Sequence, residues 1–175
     1  MAPRAVLVGL PGVGKSTVGR RLAHALAVPF ADSDQLVVRL AGRSVTEIFG
    51  QDGEPAFRQL EATAIGQALT GFDGVLALGG GAVGTAEVRQ ALLASPAPVL
   101  LLTASLDDLL ARVGRTRHRP LLADDPAGRL AELAELREPL YRQVASASCD
   151  TTGRPIEAVV AELQALLAQP ECSAR

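Results

Sequence analysis

The stretch Gly9-Leu10-Pro11-Gly12-Val13-Gly14-Lys15-Ser16 fits the pattern G-x-x-x-x-G-K-[ST], and Thr17 follows it. That spacing suits the binding of phosphate groups. Glycines let the backbone wrap closely enough for successive N–H groups to point at phosphate oxygens. Gly12, Val13, Gly14, Lys15, Ser16 and Thr17 are therefore the expected cradle of a nucleotide. The Lys15 ammonium would reach the β- and γ-phosphates, and the Ser16 hydroxyl can ligate Mg²⁺. Lys15 is the only lysine among 17 basic residues. Where arginine is otherwise used throughout, one lysine at this position points to a compact charge that a planar guanidinium cannot replace.

Phosphoryl chemistry around Mg²⁺ needs a further carboxylate, commonly an Asp at the end of an apolar strand. Leu78 is followed by glycine and Leu102 by Thr103, so Asp32 and Asp34 are the candidates. Two residues apart, they can serve neighbouring atoms without sharing one metal. The plainer alternative is that Asp34 or Ser33 caps the next helix. Arg58 lies four residues after Glu54 and three before Glu61, the spacing of a surface ion pair on a helix. Gly79-Gly80-Gly81 ends an apolar run, either as a tight turn or as a wall with backbone groups open to a ligand.

These residues must be carried by ordered elements. Ala5–Val8 reads as a buried strand, and Val18, Leu22, Ala25 and Leu26 recur at helical spacing from Lys15 onward. Strand, glycine loop and helix together place an anion on a helix N-terminus. A second strand is expected over Val28–Ala31, with a helix from Gln35 to about Ala41 closed by Gly42. Ser44-x-x-Glu47 is a capping box opening a short helix that stops at Gly50 to Gly53. A longer helix is expected over Glu54–Leu69. Further strands are expected at Val75–Leu78, Pro98–Leu102 and Ser146–Cys149. Further helices are expected at Ala86–Ala94, Leu106–Val113, Gly128–Val144 (with Pro139 a kink) and Pro155–Leu167. Between them, residues 114–126 hold Arg115, Arg117, His118 and Arg119 with no helical period, and read as a mobile lid. Residues 170–175 read as a frayed, disordered tail. Alternating strands and helices imply an α/β chain with a parallel sheet covered on both faces. We expect a single domain over residues 1–169.

Composition narrows the partners. The chain has 175 residues, 48% of them hydrophobic, and a formal net charge of −2. There is no basic tail, only 3% aromatics and no tryptophan, which argues against nucleic acid as a partner. No run has the length of a membrane span. Cys149 and Cys172 have no metal-ligand spacing and read as unlinked thiols. Pro11 and Gly12 interrupt the first apolar run, so it is not read as a signal peptide. The expected location is the cytoplasm, and a monomer is expected.

Taken in order, several motifs resemble those of shikimate kinases. They are the loop Gly9–Thr17, Asp32-x-Asp34, Gly53-Glu54 with Phe57-Arg58 and Glu61, and Leu78-Gly79-Gly80-Gly81. Arg119-Pro120-Leu121-Leu122 and Arg137-x-Pro139-Leu140-Tyr141-Arg142 complete the set. The resemblance runs over nearly the whole chain. It implies a three-layer α/β/α P-loop fold like that of nucleoside monophosphate kinases, with a five-stranded parallel sheet. It further implies transfer of the γ-phosphate of ATP, with Mg²⁺, to the 3-hydroxyl of shikimate on the route to chorismate and aromatic amino acids. By the same resemblance Asp34 is the partner of the acceptor hydroxyl. Arg58 and Arg137 hold the shikimate carboxylate, and Gly79, Gly80 and Gly81 wall the pocket. Asp32 joins Ser16 as a magnesium partner. Arg119 is the lid arginine, chosen over Arg117 because it directly precedes Pro-Leu-Leu. Asp150–Pro155 looks like a shortened adenine loop, with Arg154 and Pro155 touching the base and Arg112 covering its other face. A gluconate kinase would share the loop and lid but not the arginine pair beside the triple glycine.

Overall fold

The computed structural model describes residues 1–114 and 125–169. Five strands, β1 (Ala5–Val8), β2 (Phe30–Asp32), β3 (Val75–Ala77), β4 (Val99–Thr103) and β5 (Ala147–Asp150), form one sheet in the order β2-β3-β1-β4-β5. Every pairing is parallel, with Leu7 set between Ala77 and Leu100. Seven helices accompany them among the described residues: α1 (Lys15–Ala25), α2 (Ser33–Ala41), α3 (Val45–Gly71), α4 (Ala86–Ala94), α5 (Leu106–Gly114), α6 (Pro126–Val144) and α7 (Ile156–Leu167).

The strands are apolar on both faces because both faces are covered. Val6, Val8, Leu76, Leu78, Val99 and Leu101 pack against α3, α4 and α6. Their neighbours Ala5, Leu7, Val75, Leu100 and Leu102 pack the other way, against α1, α5 and α7. This is the three-layer arrangement expected of a doubly covered parallel sheet. Val37, Ile48, Phe57 and Ala64 form a smaller core where α2 lies on α3.

Several boundaries differ from expectation for local reasons. α2 starts at Ser33, two residues early, and its N-cap is Asp32 rather than Ser33 or Asp34: Asp32 Oδ1 accepts from the Asp34 N–H at 3.1 Å. The two helices expected on either side of Gly50–Gly53 are one element, α3, broken only in its dihedrals. Gly53 sits at φ 81°, ψ 174°, a conformation that a side chain would resist. The kink makes Pro55 harmless, because it stands in the first turn of the second half, where its missing N–H has no partner to lose. The Ser44/Glu47 capping box forms with both of its bonds. α6 begins at Pro126, capped by Asp125 Oδ1 on the Gly128 N–H at 3.0 Å, and it runs through Pro139 as one helix. Pro155 is the N-cap of α7 rather than a residue of its first turn. Gly114 closes α5 and Pro126 opens α6, so the expected lid overlaps helices at both ends. Its arginines Arg115, Arg117 and Arg119, the expected tail 170–175 and Cys172 lie outside the described residues. Cys149 is a buried free thiol, and burial pushes its pKa up to about 11.

Candidate active site

All parallel strands end on one edge of the sheet, and Lys15, Ser16, Asp32, Asp34, Arg58, Arg137 and the three glycines gather there. The loop after β1 is held under tight geometry. Gly9 has φ 146°, and a Cβ there would stand 2.4 Å from the Leu102 carbonyl oxygen of β4. Val13 anchors the loop in the core at 1% exposure. Gly14, at φ 99°, is the N-cap of α1, with no side-chain cap and no acidic residue in the first turn. The N–H groups of Lys15, Ser16 and Thr17 therefore open that helix toward an anion. Lys15 curls back across the loop and donates from Nζ to the Gly9 and Leu10 carbonyls at 2.8 and 3.0 Å.

The two aspartates diverge as their spacing allows. Ser16 Oγ donates to Asp32 Oδ2 at 2.7 Å, so the two candidate magnesium partners already touch. Asp34 faces the other way, toward Gly79. A Cβ on Gly79 would lie 3.0 Å from Asp34 Oδ1 and 2.9 Å from Glu61 Oε1. A side chain there would collide with both carboxylates. Ser33, fully buried between the aspartates, accepts from the Gly79 N–H at 2.8 Å.

Arg58 is not a surface ion pair. It bonds Glu61 at 2.6 Å and Glu54 at 3.1 Å, and Glu61 is 1% exposed. A Cβ on Gly81 would fall 2.4 Å from the Arg58 guanidinium. Arg58 and Arg137, brought from α3 and α6, line one cavity of about 430 Å³ together with Gly81, Glu54 and Thr85. Burial raises the Glu61 pKa, and the hydrogen bond and charge of Arg58 pull against it. Burial also opposes the charge on Arg58, but Glu61 and Glu54 outweigh it and hold the guanidinium above its ordinary pKa. Glu61 Oε1 is the one buried side-chain oxygen or nitrogen without a hydrogen bond among the described residues.

Gly80 joins this pocket to the phosphate loop, since a Cβ on it would stand 2.9 Å from the Pro11 ring. On the far side of the loop, Arg112 donates to the Val13 carbonyl (3.2 Å) and to the hydroxyl and carbonyl of Thr151 (3.1 and 3.0 Å). It thereby ties the phosphate loop to the segment before α7. Arg154 is engaged along α7, with Glu162 at 2.6 Å and the Asp150 carbonyl at 2.8 Å, while Pro155 is exposed at the head of that helix. Glu61 and Tyr141 stand in the sequence motifs, but the motifs alone assign them no task. Their positions, three residues after Arg58 and four after Arg137, were the available signal. A larger cleft of about 760 Å³ opens at the opposite edge of the sheet. Its charged lining residues, Arg4 and Asp73, bond each other at 2.6 Å.

Comparison with known proteins identifies the family and the fold. The shikimate kinase family model matches residues 11–168. The shikimate kinase of Rhodococcus jostii (strain RHA1) is 48% identical over 170 residues, covering 97% of this chain and 100% of that protein. The structure of shikimate kinase from Acinetobacter baumannii in complex with shikimate superposes with a TM-score of 0.87 at 34% identity, over 95% of this chain and 93% of that one. A gluconokinase from Sinorhizobium meliloti 1021, at 24% identity and a TM-score of 0.66 over 94% of this chain and 90% of that one, shares the fold alone. With a family match over most of its length and a relative of this identity covered end to end, the chain belongs to the shikimate kinase family.

Proposed function

We propose that this chain is an ATP-dependent kinase that phosphorylates the 3-hydroxyl of shikimate. The observation that carries the reading is the shared cavity of Arg58 and Arg137 beside Gly81, one peptide away from the Gly80–Pro11 contact with the phosphate loop. Two guanidiniums fit a small carboxylate, and a polyhydroxylated ring then lies against the glycine wall with Asp34 within its compass. The bound shikimate of the Acinetobacter baumannii relative supports the same acceptor.

The chain's own residues divide the work by position. The phosphate loop and Lys15 hold the nucleotide's phosphates, and Lys15 would exchange its two carbonyl partners for phosphate oxygens. Ser16 and Asp32 are the residues that would hold Mg²⁺, which supplies positive charge to the phosphate oxygens when bound. Asp34 accepts from, and orients, the acceptor hydroxyl. That oxygen bonds to the γ-phosphorus as the bond to the β,γ-bridging oxygen breaks, and the hydroxyl proton passes toward Asp34. Arg112 braces the loop, and Arg119 would meet the transferring group. Little covalent assistance is needed, because positioning and positive charge lower the barrier.

The deciding experiment is an ADP-release assay with ATP and Mg²⁺ against shikimate, gluconate or no acceptor. ADP formation with shikimate alone is expected. Turnover with gluconate instead, or acceptor-independent hydrolysis only, overturns the reading.

A further inference from the structure

The triple-glycine wall is suspended from three separate elements. Gly79 hangs from Ser33 of α2 by its N–H at 2.8 Å. Gly81 lies under the Arg58 guanidinium of α3. Gly80 is held by α6: the Tyr141 hydroxyl donates to its carbonyl at 2.6 Å. Tyr141 is 2% exposed and stands one turn after Arg137 on the same helix, close enough to feel its charge. One hydroxyl of α6, the helix that brings Arg137 to the carboxylate pocket, thus holds the peptide that abuts Pro11 of the phosphate loop.

We propose that Tyr141 is a positioning residue for the transfer, its hydroxyl tying the Gly80 peptide to the helix that carries Arg137 so that the acceptor is held at a set place relative to the phosphate loop. The inference rests on the acceptor pocket proposed above. The group suits the task. A buried phenol donates one well-directed bond to a carbonyl, and its ring, part of the same core as Val88, Leu92 and Val144, cannot swing away. Burial pushes its pKa up to about 12, so the donor proton stays in place at any working pH. Neither the bond nor its purpose is a local matter, since Tyr141 and Gly80 are 61 residues apart.

The test is Tyr141→Phe, which keeps the ring and removes the hydroxyl. Loss of one such buried hydrogen bond should raise the shikimate KM about tenfold and lower kcat, with the ATP KM within about twofold. A tyrosine that merely fills the core would lower Tm and leave both KM values where they were, and that result overturns the inference. A second measurement leaves the chain unmodified. Tyr141 is its one tyrosine and it has no tryptophan, so intrinsic emission excited in the tyrosine band reports this residue alone. Shikimate added without nucleotide should change that emission with saturation, and an unaltered spectrum under saturating shikimate counts against the proposal. Wild-type protein that releases no ADP with shikimate overturns the acceptor assignment and this inference together. Wild-type turnover with unchanged kinetics in Tyr141→Phe overturns this inference alone.

Discussion

Arg58→Ala separates the buried pair seen here from the surface pair that its spacing suggests. In the folded chain the Arg58 guanidinium is 24% exposed and Glu61 is 1% exposed, with 2.6 Å between them. Deleting the arginine strands a buried carboxylate that already has one unpartnered oxygen. Breaking a buried pair on one side costs about 3–5 kcal/mol. Arg137 still acts on Glu61 through its charge, and water can enter the space left behind, so the lower end applies, about 3 kcal/mol. An exposed pair would cost under about 1 kcal/mol. The loss must also depend on pH. Burial raises the folded pKa of Glu61 above its ordinary 4.5, and losing Arg58 raises it further. A carboxyl raised in this way contributes stability that is present below its unfolded pKa and is lost as pH rises through the folded value. The variant should therefore be impaired more at pH 8 than at pH 5. Urea unfolding of wild type, Arg58→Ala, Glu61→Gln and the double variant at both pH values measures this. The double variant should recover part of the loss, because the stranded charge is gone. A loss under 1 kcal/mol at pH 8, or one equal at the two pH values, refutes the buried-pair argument. In the same variant the shikimate KM should rise sharply while the ATP KM changes little.

Lys15→Met should nearly abolish turnover with the circular dichroism spectrum and Tm retained, and Lys15→Arg should also be poor because a planar fork does not fit the site of an ammonium. Most of the activity surviving in Lys15→Met would remove the phosphate loop from the mechanism. Arg119→Ala should lower kcat by up to roughly 10³-fold with smaller changes in either KM, and Arg117→Ala should cost far less; the reverse order would reassign the lid arginine. Alkaline titration of the single tyrosine by its absorbance should give a midpoint of about 12, against 10.0 for a free phenol. Two units at about 1.4 kcal/mol each make a contribution of about 3 kcal/mol, present below pH 10 and lost as pH rises toward 12. A midpoint near 10 would mean the hydroxyl is not buried and bonded as described.

The phosphate loop was legible because everything it needs is contiguous: a strand, glycines at fixed offsets, one lysine and a helix. The capping box at Ser44 and the glycine stop at Gly42 were legible for the same reason, since a cap is a bond between residues three or four apart. Element boundaries slipped where two local signals competed. Asp32 both caps α2 and bonds Ser16, and its capping moved the helix start two residues toward the strand. At Gly53 a glycine stop reads the same in sequence whether the chain ends a helix or only kinks it.

Sequence alone determined the chemistry at each position: the phosphate loop, the carboxylates after β2, the three glycines and the arginines on helical segments. Only the tertiary structure decided which of these meet. The spacing of Arg58 and Glu61 is identical for an exposed pair and a buried one. The environment is set by β3 and its glycine loop, roughly twenty residues away, which close over Glu61. The same holds for Asp34 against Gly79, for Arg58 with Arg137 in one cavity, and for Tyr141 on the Gly80 carbonyl. Burial and pairing across the sheet depend on how helices from distant parts of the chain pack on both of its faces, and a local pattern carries no record of that distance.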